Sequence, residues 1–142
     1  MILNTDFVNK LRSSGLRPTK QRLKICEVLF NAEKTFHFTI NDLSKIISEK
    51  LSEKISLATV YNTIHAFKKK GYLKEISINS DRNYFDTNIS AHHHFYDEDT
   101  NELIDCNEND IDFINVKNNI TGKKINSVEV LIKVASDNQN QN

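Results

Sequence analysis

Four times in the first half of the chain, apolar residues recur at helical spacing. Phe7, Val8 and Leu11 share one face of a segment over residues 5–14 that Gly15 stops. A second helix starts at Pro18-Thr19 and carries Leu23, Cys26 and Phe30 at spacings of three and four. Thr39, with Asp42 three residues on, forms a capping-box variant that opens a third. Its Ile40, Leu43, Ile46 and Ile47 make a 3.6-residue stripe. The fourth opens at Ser56 and is expected to turn Leu57, Val60, Ile64 and Phe67 inward. It ends on Lys68, Lys69, Lys70 and Gly71, cations in a last turn followed by the residue that most readily goes left-handed.

The period then changes. Tyr72–Ile78 and Asn83–Asp86 are short strand candidates around the polar turn Asn79-Ser80-Asp81-Arg82, which predicts a β-hairpin. Helices followed by a hairpin describe a winged helix-turn-helix, with the fourth helix as recognition helix and the hairpin as wing. The second half is more strand-like. Val128, Val130, Ile132 and Val134 alternate with Ser127, Glu129, Leu131 and Lys133, and Glu102–Cys106 and His93–Tyr96 are further strand candidates. Residues 109–118 are expected to form a short helix. About 55 residues make too small a core to stand alone, so this half is expected to pair with a second copy. The predicted fold is α/β (α+β): a winged-helix DNA-binding domain over 1–86, a small dimerisation and sensing domain over 87–135, and a disordered tail over 136–142.

The 142 residues sum to zero net charge, which seen whole argues against nucleic acid. The distribution reverses that. Residues 1–79 carry fourteen Lys/Arg and seven Asp/Glu, a +7 half, and residues 80–142 carry five and twelve, a −7 half. No run approaches 18 apolar residues and Asp6 interrupts any leader, so a cytoplasmic protein with no membrane partner is expected. Cys26 and Cys106 stand eighty positions apart, which leaves neither a disulfide framework nor a cysteine-held zinc.

The strongest chemical signal is Ala91-His92-His93-His94, three of the five histidines, with Asp86 before and Asp105 after. On a strand His92 and His94 point to one face and His93 to the other, so two imidazoles can reach one ion. A His/carboxylate set suits Fe(II), Mn(II) or Zn(II), and imidazole also suits haem iron. His37 is expected in the loop before the third helix, and His65 as ordinary packing or surface. On the fourth helix Ser56, Thr59, Tyr61, Asn62 and Thr63 offer groups that can meet bases or phosphates. Lys68, Lys69 and Lys70, with Arg17 and Lys20 in the basic cluster before the core helices, are candidates for phosphate contact.

These segments together resemble the ferric uptake regulator superfamily. GLRPTKQR (15–22) resembles its opening motif, SLATVYNTIHAFKKKGYL (56–73) its recognition helix, and YFDTNISAHHHFYDEDTNELIDC (84–106) its hinge and metal segment. Within it, YNTIHAF and HHHFYDEDTNELID are most similar to iron response regulators of the Irr type. Zinc-containing members carry a CxxC after the histidine cluster where this chain has Asp97 and Thr100. The resemblance implies a homodimeric, non-enzymatic transcription regulator, mainly a repressor of iron and haem homeostasis genes, on AT-rich palindromic double-stranded DNA. It implies a regulatory metal site at His37, Asp86, His92, His94 and Asp105, and haem candidates at His92, His93 and His94. The alternative within the family is an Fe(II)/Mn(II)-dependent or peroxide-sensing repressor without haem. A metal-dependent hydrolase stands as a third possibility, though no companion base or nucleophile motif accompanies the histidines.

Overall fold

The computed structural model describes residues 4–51, 54–112 and 114–137. The chain forms two compact units, Met1–Ile89 and Ser90–Asn142. The first contains α1 (Asn4–Ser13), α2 (Lys20–Phe30), β1 (His37–Phe38), α3 (Ile40–Lys50), α4 (Leu57–Lys70), β2 (Lys74–Asn79) and β3 (Arg82–Asp86). Their ends follow the local chemistry. Thr19 caps α2 by accepting from the Arg22 amide. Thr39 and Asp42 close a full capping box on α3, and Ser56 caps α4 by accepting from the Thr59 amide. Gly71 ends α4 at φ 92, a left-handed conformation in which any other residue would be strained.

The apolar stripes meet in one core built from Phe7, Leu11, Ile25, Cys26, Leu43, Ile47, Val60, Ile64 and Phe67, closed by Phe38 and Phe85 from the sheet. That sheet runs β1-β3-β2 with both pairings antiparallel, and β2–β3 is the expected hairpin with an irregularity between Ser77 and Asn79. Three expectations change here. His37 is not in a loop but begins β1, where it pairs with Asp86 of β3. Leu57 points outward and is 53% exposed, because the first turn of α4 projects beyond the core. Thr63, expected on the polar face, is fully buried and satisfies its hydroxyl on the Thr59 carbonyl at 2.7 Å.

The second unit contains β4 (His94–Asp97), β5 (Glu102–Asp105) and β6 (Leu131–Val134) in the order β5-β4-β6. β4 and β5 form an antiparallel hairpin, and β6 joins β4 in parallel. Asp97 and Asn101 shape the hairpin: the Asp97 carboxylate accepts from the Asp99 and Thr100 amides, and Asn101 adopts φ 61. The long alternation of 127–134 yields a strand only at Leu131–Val134. Among the described residues of 109–118 there is no helix. The segment turns instead at Asn107, whose amide donates to Asp110 Oδ2 at 2.8 Å. The tail expected from 136 is anchored at its first residue, since the Ser136 amide and hydroxyl both bond Asp99 Oδ2. Residues 138–142 lie outside the described residues.

Candidate metal centre and nucleic-acid interface

In the second unit three ligand-bearing side chains converge. His94 opens β4 opposite Asp105 of β5, which sets them side by side on one face. His92 precedes the strand rather than lying on it, yet its ring comes to 4.3 Å from that of His94, centroid to centroid. His92 Nε2 lies 3.4 Å and His94 Nε2 3.1 Å from the same Asp105 oxygen. The ligand atoms of all three residues lie within 4.8 Å of one another. His94 is buried, whereas Asp105 is exposed on the open side.

Hydrogen bonding assigns the ring tautomers of His92 and His93. His92 Nδ1 stands 2.7 Å from the Ser90 carbonyl oxygen, which can only accept, so Nδ1 carries the proton. In the neutral ring the Nε2 lone pair therefore faces a carboxylate oxygen, an arrangement that calls for a proton or a cation between them. Two imidazoles and a carboxylate with an open side fit a divalent transition metal. His93 behaves differently. Its Nδ1 accepts the Val130 amide at 2.8 Å, which puts the ring proton on Nε2 and stitches the approach of β6 to β4. The His94 amide donating to the Val130 carbonyl and the Cys106 amide donating to the His93 carbonyl complete that stitch.

The first unit holds the other two proposed ligands as one pair. Asp86 is 1% exposed at the end of β3, directly across from His37 on β1, and its carboxylate accepts the Asn88 amide at 2.8 Å. The outward face of α4 carries the DNA candidates. Tyr61 is 52% exposed and Asn62 is exposed, while Thr59 is half-buried with its hydroxyl against that of Ser56. Tyr61 lies against the His65 ring, centroids 4.1 Å apart and planes tilted by 46°, and His65 in turn meets Phe85 edge-on, so the His65 contact orients the tyrosine. Lys69 and Lys70 line a shallow cleft with Ser13, Ser14, Gly15 and Ala66. Lys68 differs from them, being ion-paired with Glu75 of β2. Arg17 and Lys20 are exposed around the start of α2, and the Arg17 carbonyl accepts from the Arg22 guanidinium.

Residues 13–134 match the ferric uptake regulator family. The chain belongs to this family. Among its relatives, the peroxide operon regulator of Bacillus subtilis is 31% identical over 121 residues, covering 84% of this chain and 81% of that protein. The ferric uptake regulation protein of Pseudomonas fluorescens is 32% identical over 110 residues, 77% and 88% of the two chains. The manganese-bound ferric uptake regulator of Pseudomonas aeruginosa superposes with a TM-score of 0.65 at 25% identity, covering 96% and 98%. The ferric uptake regulator of Vibrio cholerae shares the fold at a TM-score of 0.67 and 21% identity, over 91% and 98%. The relatives are named as regulators, and the chain is a metal-responsive transcriptional regulator of this family. They are peroxide and ferric-uptake regulators, and none points specifically to the Irr branch.

Sequence reasoning missed three contributors to the site: the structural bond of His93, the orienting contact of His65 on Tyr61, and the position of Lys74 beside Asp86. The first could not be seen without knowing that Val130 reaches β4. The third does not follow from the turn either: a register centred on Ser80-Asp81 sets Lys74 opposite Thr87, and only the irregularity between Ser77 and Asn79 shifts it to Asp86.

Proposed function

We propose that this protein is a homodimeric DNA-binding repressor that responds to Fe(II) or Mn(II) bound by His92, His94 and Asp105, with Asp86 and His37 of the first unit joining as ligands. The observation that carries this is the convergence of the His92 and His94 Nε2 atoms on one Asp105 oxygen, with the His92 lone pair turned toward it. A bound divalent ion supplies positive charge that holds these donors together. The chain does the rest. Ser90 fixes the His92 tautomer, and β4 and β5 hold His94 and Asp105 in register.

DNA reading follows from α4. Exposed Leu57 and Tyr61 suit apolar contact with thymine methyls, and Asn62 suits an adenine edge. In a two-fold dimer two such helices read half-sites about 34–36 Å apart, matching a palindromic operator, here expected to be AT-rich. Dimerisation would use a face of the second unit. Ile104, Phe95 and Ile132 form one cross-strand row on the face opposite His94, and Ile104 is 42% exposed. Metal changes DNA affinity only as far as it prefers one arrangement of the units over another.

The direct test is Mn(II) titration of chelator-treated protein by calorimetry. Wild type is expected to bind one ion per chain, and His92→Ala or His94→Ala to weaken binding by at least about tenfold, the loss of one good ligand. Equal affinity in wild type and both variants contradicts the assignment.

A second reading is haem sensing of the Irr kind, favoured by Asp97 and Thr100 standing where zinc-containing members carry cysteines. Iron ligation by His93 Nε2 requires the ring proton to move to Nδ1, which breaks the Val130 bond. Haem binding through His93 would thus loosen β6, giving a Soret shift together with lost amide protection at Val130. A Soret shift unaffected by His93→Ala removes His93 from this reading.

A further inference from the structure

One row of side chains crosses the sheet of the first unit: His37 on β1, Asp86 on β3 and Lys74 on β2, each pair in direct antiparallel register. Directly opposed residues share a face, with Cβ atoms about 4.5–5.5 Å apart. The buried Asp86 carboxylate thus has an imidazole on one side and an ammonium on the other. A buried carboxylate is costly unless paired, and Lys74 is the cation the fold sets beside it. Burial draws the Lys74 ammonium below its ordinary range while the Asp86 charge acts in the opposite sense, as expected for neighbours that sense each other. The nearest acid on β2 offers Lys74 no relief: Glu75 lies opposite Phe85 on the other face of the sheet and is ion-paired with Lys68.

We propose that Lys74 is the resident counter-cation of Asp86 and sets the metal concentration at which the sensor responds. A divalent ion that takes Asp86 as ligand must either displace the ammonium from the carboxylate or bind beside its charge, and both weaken binding. Lys74 therefore acts as a built-in competitor that tunes the threshold without ligating metal. This rests on the assignment of Asp86 as a ligand, so the experiment separates the two claims.

Mn(II) affinity of the chelator-treated, full-length protein would be measured by loss of the free Mn(II) EPR signal, for wild type, K74Q, K74M, K74R and D86N. Removing the competing charge in K74Q or K74M is expected to tighten Mn(II) by about tenfold, whereas K74R keeps the charge and stays within about twofold of wild type. The gain should vanish when K74Q is combined with D86N, since the two residues act as one pair. Circular dichroism identifies folded variants, and K74M keeps the apolar stem of the side chain should K74Q fail to fold. If D86N weakens Mn(II) while folded K74Q and K74M bind no tighter than wild type, the inference about Lys74 is overturned and the ligand assignment stands. If D86N binds Mn(II) as wild type does, the ligand assignment fails and the inference falls with it.

Discussion

The two units solve the folding problem in different ways. The first buries a continuous apolar cluster drawn from all four helices and the sheet. In the second, Tyr96 and Leu103 are the hydrophobic side chains buried among the described residues, while Ile104, Val116, Ile120, Ile125, Val128 and Val134 are exposed. Exposed apolar surface of this kind is the surface the proposed dimer would cover. The contrast also separates the jobs. A self-sufficient unit can present a rigid recognition helix, and a unit that depends on assembly can tie the spacing of two such helices to a ligand.

Breaking the core of the first unit should have the largest effect. Phe67→Ala removes a fully buried ring that packs against Phe30 and Tyr72 and is expected to cost about 3–5 kcal/mol in urea unfolding. The corresponding truncation at exposed Ile120, Ile120→Ala, should change stability by no more than about 0.5 kcal/mol.

Alkali should also single out the first unit. Burial pushes the Cys26 thiol from the ordinary 9.0 up to about 12. A group whose folded pKa is raised contributes stability that is full below the unfolded value and is lost as pH rises toward the folded one. Stability should therefore fall between about pH 9 and 12 at up to roughly 1.4 kcal/mol per unit from this thiol. The slope of stability against pH should be shallower in Cys26→Ala, and an identical slope would exclude the thiol as its source. The two cysteines themselves should differ, Cys106 reacting with a maleimide in the native protein and Cys26 only on unfolding.

For the second unit the sharpest break is at the exposed sheet row. Ile104→Lys places a charge where a second copy is expected and should raise the dimer dissociation constant by at least about tenfold in sedimentation, with the first unit still folded. A dimer of undiminished strength would move the interface elsewhere.

The smallest effects concern the lysines that end α4. Lys69→Ala and Lys70→Ala should each lower the salt dependence of DNA binding by about one unit of slope, the signature of one lost phosphate contact. Lys68→Ala should change it less, because Lys68 is already paired with Glu75. Equal slopes for all three would show that the ion pair opens on DNA.

The helices, their caps and the wing were legible because their signals are local. Thr39 with Asp42, Ser56 before Leu57 and Gly71 after three lysines each act within a turn. Leu57 and Thr63 were misassigned because periodicity fixes a residue's side of the helix but not how far the core extends along it. In the second unit the histidines and Asp105 were visible as residue types, and the hairpin placed two of them together. The parallel return of β6 is visible in the sequence only as an over-long alternation, since its pairing with β4 joins residues 37 positions apart, beside the His93–Val130 bond. Lys74 carries no sequence signal of its own, because lysines near a basic helix are common and only strand register makes this one distinct.

In the proposed function, metal bound by His92, His94, Asp105 and Asp86 governs DNA affinity. Fluorescence anisotropy on an AT-rich palindromic duplex, at fixed salt with and without Mn(II), tests it most directly, comparing wild type with Asp86→Ala. Mn(II) is expected to tighten wild-type binding by at least about tenfold, a coupling of about 1.4 kcal/mol, and Asp86→Ala to abolish the gain while retaining metal-free affinity. DNA binding that is equally tight with and without Mn(II) in the wild type would contradict it.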